Sequence, residues 1–210
     1  NDIRSFNSQI SPQLLLGFDE SPYSGLYPSP VVFQSRTSFL WAANHAKKSD
    51  IFIGSVESFL QRTLPKKIFE SYIFELRKNE DVDVETLLKQ LTECGYSPSP
   101  LVEDFGTFSR RGDIIDIFSP LYETPFRIEL FGDQIENLRF FDPDTQLSTQ
   151  EVTQVMVIPA REIIASDETL HLAINRIKTF CDDNNIKKET RDQLIAPLKQ
   201  KILSHGIDFW

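Results

Sequence analysis

The alternation of apolar and polar positions changes character along the chain. From Ser38 to Lys48, Phe39, Leu40, Ala43 and Ala46 recur at helical spacing. Ile51-Phe52-Ile53-Gly54 reads as a short buried strand, and Ser55 can cap a helix from about Val56 to Arg62. Before these, residues 1–35 carry Pro12, Pro22, Pro28 and Pro30 and read as a strand with long irregular loops. Tyr72 to Leu76 reads as a strand. Asp83 caps a helix through Leu87, Leu88 and Leu91, which Gly95 stops.

Over residues 105–142 the period switches to two, with Gly and Pro as punctuation, and predicts a β-meander. Phe108 to Phe118 reads as one strand with Gly112 at a bulge or a close approach. Its Arg-Gly-Asp tripeptide therefore opens a strand rather than a loop tip, so an adhesion reading is rejected. Beyond Pro159, a helix from about Ser166 to Asp182 carries Leu170, Ile174, Ile177 and Cys181 on one stripe. A second, from about Lys188 to Ser204, is expected to kink or split at Pro197.

The hairpin Thr124–Phe141 fixes more than an element type. Gly132-Asp133 marks its turn. A two-residue loop sets Glu129 against Glu136, which is unfavourable. A three-residue loop pairs Ile128 with Leu138 and Phe126 with Phe140, and gathers the apolar residues on one face. The other face then carries Arg127, Glu129, Phe131, Ile135 and Arg139. Aromatics and Arg of this kind favour interface centres, although Phe131 and Ile135 covering a helix of the same chain explains the pattern equally. Arg110 and Arg111 read as ordinary surface charge.

Composition narrows the chemistry. The 210 residues are 40% apolar with 17 Phe, which is enough for a core, and the net charge of −9 gives no overall basic footprint for nucleic acid. No run approaches the ~18 apolar residues of a membrane span, and no signal peptide is expected. Cys94 and Cys181 form no disulfide or zinc pattern, which suits a reducing cytoplasm. His45, His171 and His205 lie far apart, and the pairs Asp19-Glu20, Asp142/Asp144 and Asp182-Asp183 read as solvated or capping carboxylates. A Gly-Lys-Ser/Thr phosphate loop is absent. The expectation is a binding module without catalytic residues, cofactor or metal. With no initiator Met and a terminal Phe209-Trp210, the chain is expected to be a segment of a longer protein.

Arg111-Gly-Asp-Ile-Ile-Asp-Ile-Phe118, followed by Phe126-Arg-Ile-Glu-Leu-Phe-Gly-Asp-Gln-Ile-Glu-Asn-Leu-Arg-Phe-Phe-Asp-Pro-Asp-Thr-Gln146, resembles a bacterial DNA-repair module. It is shared by the excision-nuclease subunit UvrB and the transcription-repair coupling factor (Mfd) family. Ser119 between Phe118 and Pro120 is a small departure. Asp142 to Gln146, Ile158-Pro-Ala-Arg-Glu162 and Gly206-Ile-Asp-Phe-Trp210 favour the coupling factors. The alternative is a fragment of a UvrB-like repair helicase subunit that binds DNA and UvrA. A nucleotide-binding loop upstream of the chain, or a face masked within a longer protein, also stay open.

The resemblance implies an α/β and α+β architecture. Residues 1–73 would be a partial, degenerate UvrB-like α/β domain. Residues 74–160 would be an inserted α+β module on an antiparallel meander, and 161–210 a partial helical segment of the split domain. It implies a non-catalytic region that binds UvrA through Arg111, Arg127, Glu129 and Phe131, with Arg139 as a rim contact. In the full-length bacterial, cytoplasmic protein it further implies a translocase using ATP and Mg, with RNA polymerase and double-stranded DNA as partners.

Overall fold

The computed structural model describes residues 12–18 and 28–200. They fall into two compact units, one ending at Glu162 and the other beginning at Ile163. The expected tail of the last helix to Ser204, the Gly206–Trp210 segment, His205 and the Asp19-Glu20 pair lie outside the described residues.

In the first unit, β1 (Gln13–Leu15) pairs in parallel with β2 (Phe52–Gly54). Between them, α1 spans Pro30–Asn44. This overturns the loop reading of the segment before residue 36 and moves the expected helix forward. Pro30 at the first helical position lacks only an N–H that would have no intrahelical acceptor, so it starts a helix rather than breaking one. Ser55 caps α2 (Val56–Leu60) as expected, accepting from the Ser58 amide. A helix not expected, α3 (Lys66–Ser71), buries Phe69 completely.

Arg36 lies fully buried inside this unit. Its guanidinium donates to the Glu162 carboxylate, the Leu16 and Arg62 carbonyls and Gln61 Oε1, and stacks 4.3 Å from the Phe18 ring centroid. A buried charge persists only when so paired. This cluster joins four stretches far apart in sequence.

The centre of the unit is a six-stranded sheet in the order β4-β5-β6-β7-β8-β9, antiparallel except for the short β4 (Ser97–Pro98) beside β5 (Thr107–Arg111). The further strands are β6 (Ile114–Ile117), β7 (Phe126–Phe131), β8 (Gln134–Phe141) and β9 (Ser148–Glu151). A separate antiparallel pair joins β3 (Phe74–Arg77) to β10 (Gln154–Val157). One face of the large sheet is apolar. Phe108, Ile115, Ile117, Phe126, Ile128, Leu130 and Leu138 pack with Leu87 and Leu91 of α4 (Val84–Glu93), and with Leu76, Val155 and Val157. Asp83 caps α4 by accepting from the Thr86 amide, which holds its carboxyl below the usual range, and Gly95 ends the turn at φ 86°. Cys94 is buried among these residues, and burial pushes its thiol up to about 12.

Two strand readings change. The expected strand Phe108–Phe118 is a hairpin, β5–β6, and Arg111-Gly112-Asp113 sits at its turn rather than opening a strand. The hairpin β7–β8 keeps the expected pairs, Ile128 with Leu138 and Phe126 with Phe140. Its loop nevertheless has two residues, because Phe131 faces Gln134 and Leu130 faces Ile135. The ladder then shifts between Glu129 and Leu130, so that Glu136 is an extra residue and Asn137, not Glu136, faces Glu129. The bulge removes the like-charge clash and keeps the two-residue turn, whose first position, Gly132, has φ 62°. It also moves Ile135 off the outer face and into the core, where it is 1% exposed.

In the second unit, α5 (Asp167–Asp183) is capped by Ser166 and buries Leu170, Ile174, Ile177 and Cys181, the expected stripe. It packs on α6 (Lys188–Lys199) through Ile195 and Leu198. Pro197 falls in the last turn of α6.

The bulge makes opposite demands on two neighbours. Ile135→Ala should destabilise the protein by about 2–5 kcal/mol and Phe131→Ala by less than ~0.5 kcal/mol in urea unfolding. Equal losses would contradict this register.

Candidate protein-docking face

Strand register alone lines up a row of polar groups across the outer face of the sheet. Ser109 faces Asp116, Asp116 faces Arg127, Arg127 faces Arg139, and Arg139 faces Glu151. A second row, nearer the turns, runs Arg111, Ile114, Glu129, Asn137. Phe131 stands beyond both, beside Gly132. The two Gly-Asp turns are tied together, because the Leu130 amide donates to the Asp113 carbonyl at 2.9 Å.

The first row would place two guanidiniums directly opposite each other, an unfavourable pairing unless compensated. Asp116 compensates one of them. It lies between Ile115 and Ile117, both buried in the core, and is itself 0% exposed. Arg127 forms a fork on it, with Nε to Oδ1 at 2.6 Å and Nη2 to Oδ2 at 2.9 Å. Arg111 Nη2 reaches the same Oδ2 at 2.7 Å. Arg139 is compensated separately by an ion pair with Glu129, whose carboxylate also accepts from Asn137 Nδ2. Lys78 Nζ donates to Asn137 Oδ1 at 2.9 Å and extends this network.

Arg127 is held on other sides as well. Its Nη2 donates to Gln146 Oε1 at 3.2 Å, and its guanidinium stacks 4.5 Å from the Phe141 ring centroid. Gln146, at φ 61°, is anchored in turn by donating to the Pro143 carbonyl. Phe141 belongs to a small apolar cluster with Val102 and Phe118 that closes this end of the face. The hydrogen bond to Asp116 keeps Arg127's pKa above its ordinary value, with burial opposing.

The five residues singled out from sequence therefore share one face but not one environment. Phe131 is 78% exposed, and the Arg111 side chain is 48% exposed. Glu129 and Arg139 are largely engaged with each other. Arg127 is not a free guanidinium awaiting a partner, since its side chain is only 15% exposed and its fork is on Asp116. Among the described residues its Nη1 makes no hydrogen bond, so one edge remains available. Two guanidiniums on one carboxylate leave one positive charge uncompensated, on the same sheet face as a bare aromatic ring. That combination suits an anionic, partly apolar protein surface. Asp116, Gln146 and Lys78 were not singled out from sequence. A signal existed for Asp116 alone, as the charge inside the apolar run Ile114-Ile-Asp-Ile-Phe118.

The family model for the UvrB interaction domain matches residues 74–163, which contain the whole six-stranded sheet. The transcription-repair-coupling factor of Myxococcus xanthus is 34% identical over 204 residues, 96% of this chain and 17% of that protein. That of Staphylococcus epidermidis is 33% identical over 168 residues, 79% of this chain and 14% of its own. That of Haemophilus influenzae is 26% identical over 207 residues, 97% of this chain and 18% of its own. The chain thus spans less than a fifth of the length of these relatives. Among the described residues, no helix is long and apolar enough to cross a membrane.

The geometry separates two arginines by their structural weight. Arg127→Ala leaves a buried carboxylate with one partner and should destabilise the protein by about 1–3 kcal/mol. Arg111→Ala leaves the fork intact and should stay within ~0.5 kcal/mol. Chemical denaturation measures both, and equal stability of the two variants would contradict the assignment.

Proposed function

Residues 74–163 belong to the UvrB interaction domain family and the chain is a relative of the transcription-repair-coupling factors; from that premise we propose that its outer sheet face docks UvrA, the damage-recognition ATPase of excision repair. Phe131 is the buried anchor of the docked state. Arg111 and the free edge of Arg127 receive a UvrA carboxylate, Glu129 meets a UvrA cation, and Arg139 borders the contact.

The observation that carries this reading is the exposure of Phe131 on the same sheet face as a half-exposed Arg111. A bare Phe at a rigid turn, with polar groups around it, has the make-up of an interface hot spot. The rest of the face is held by internal bonds, so little ordering is required on docking.

In this reading the chain is a non-catalytic adaptor. The full-length protein, acting in the bacterial cytoplasm, couples a DNA translocase that uses ATP and Mg to an RNA polymerase stalled at a lesion. The region described here then recruits UvrA to that site. The translocase and its contacts with polymerase and double-stranded DNA lie outside this chain.

Calorimetry against UvrA tests the docking face. Phe131→Ala and Arg111→Ala, at unchanged melting temperature, should each lose ~2 kcal/mol, about thirtyfold in affinity. The Arg111 contribution should shrink as salt rises, because exposed ion pairs are screened. Undiminished binding by both variants would refute the assignment.

A further inference from the structure

We infer that Asp116, which no docking protein can reach, is a positioning residue that sets Arg111 and Arg127 for a single incoming carboxylate. The inference rests on the docking reading above and deepens it by naming the partner group, an acidic side chain.

Asp116 has no exposed surface, and both of its oxygens are occupied by guanidinium N–H groups. Its position follows from register, since it faces Arg127 directly across the β6–β7 ladder. Arg111 lies two pairs farther along the β5–β6 ladder, on the same face and close enough to share Oδ2. Compensating Arg127 takes one guanidinium on Asp116, and the second, Arg111, is not required for that. Buried ion pairs are often no more stabilising than apolar packing of the same volume. What the arrangement does supply is orientation. It brings two like charges close and fixes them, and it leaves a net positive charge with Arg111 half exposed.

Without the Asp116 carboxylate, the two guanidiniums repel each other and Arg111 gains rotamer freedom. Both effects must be reversed when a partner carboxylate binds. A neutral asparagine keeps the shape and removes the charge. Asp116→Asn should weaken UvrA binding on the order of tenfold, the size expected for immobilising one or two long side chains. Because Asp116 acts through Arg111, the losses from Asp116→Asn and Arg111→Ala should be less than multiplicative in the double variant. A residue that only supported the fold would give multiplicative losses.

The experiment is calorimetry of the wild type, Asp116→Asn, Arg111→Ala, their double variant and Phe131→Ala against UvrA, each with its thermal melting curve. A tenfold loss in Asp116→Asn with non-multiplicative coupling to Arg111 supports the inference. Binding by Asp116→Asn within twofold of wild type overturns it, as do fully multiplicative losses. If Phe131→Ala and Arg111→Ala weaken binding while Asp116→Asn does not, this inference falls and the docking reading stands. If none of the variants weakens binding, the docking reading falls and takes the inference with it. Should Asp116→Asn fail to fold, Arg111→Lys keeps the charge but loses the planar guanidinium that Asp116 orients; a loss approaching that of Arg111→Ala supports the inference, and binding within twofold of wild type overturns it.

Discussion

A single buried carboxylate organises the outward face of this sheet. The antiparallel ladder obliges Arg127 to stand between Asp116 on one side and Arg139 on the other. Opposed arginines repel, and the sheet tolerates them because Asp116 and Glu129 each neutralise one. The two ion pairs differ in consequence. The Glu129–Arg139 pair is partly exposed and closes on itself. Asp116 is buried and shared, so the arginines around it carry an excess positive charge that stays at the surface. The apolar face beneath, filled by Phe126, Ile128, Leu130, Ile135 and Leu138, gives these charges a rigid base.

Much of this arrangement can be read from the chain, and the rest was hidden for identifiable reasons. The pairs Ile128–Leu138 and Phe126–Phe140 follow from keeping apolar residues on one side, and that constraint acts along the whole strand. The turn did not follow, because a two-residue loop with a bulge and a three-residue loop give the same register away from the turn. They differ in the fate of Ile135, and the gain from burying it decides the matter. Gly112 was visible as a backbone irregularity, but one glycine fits a bulge and a turn alike. Pro30 is ambiguous in sequence because proline both ends helices and begins them, and only tertiary packing of Val32 and Phe39 distinguishes the two.

The docking residues were legible as a set and not as individuals. A strand pattern shows that Arg127, Glu129, Phe131 and Arg139 share a face. It does not show that Arg127 is committed to Asp116, because that depends on a third strand separated by a loop. The buried Arg36–Glu162 pair was invisible for the same reason, joining residues 126 apart in sequence. The outcome is a division of roles along one face. Held charges lie toward the Phe141 cluster, while Phe131 is exposed and Arg111 half-exposed near the two Gly-Asp turns. The proposed adaptor function needs both, a rigid frame and a small free patch.

Amide hydrogen exchange, with and without UvrA, measures where the partner sits without altering any side chain. Slowed exchange concentrated at the two Gly-Asp turns and along 127–131 and 137–139 is expected. Protection confined to α5 and α6, or to β1 and β2, with the outer sheet face unchanged, would contradict the account.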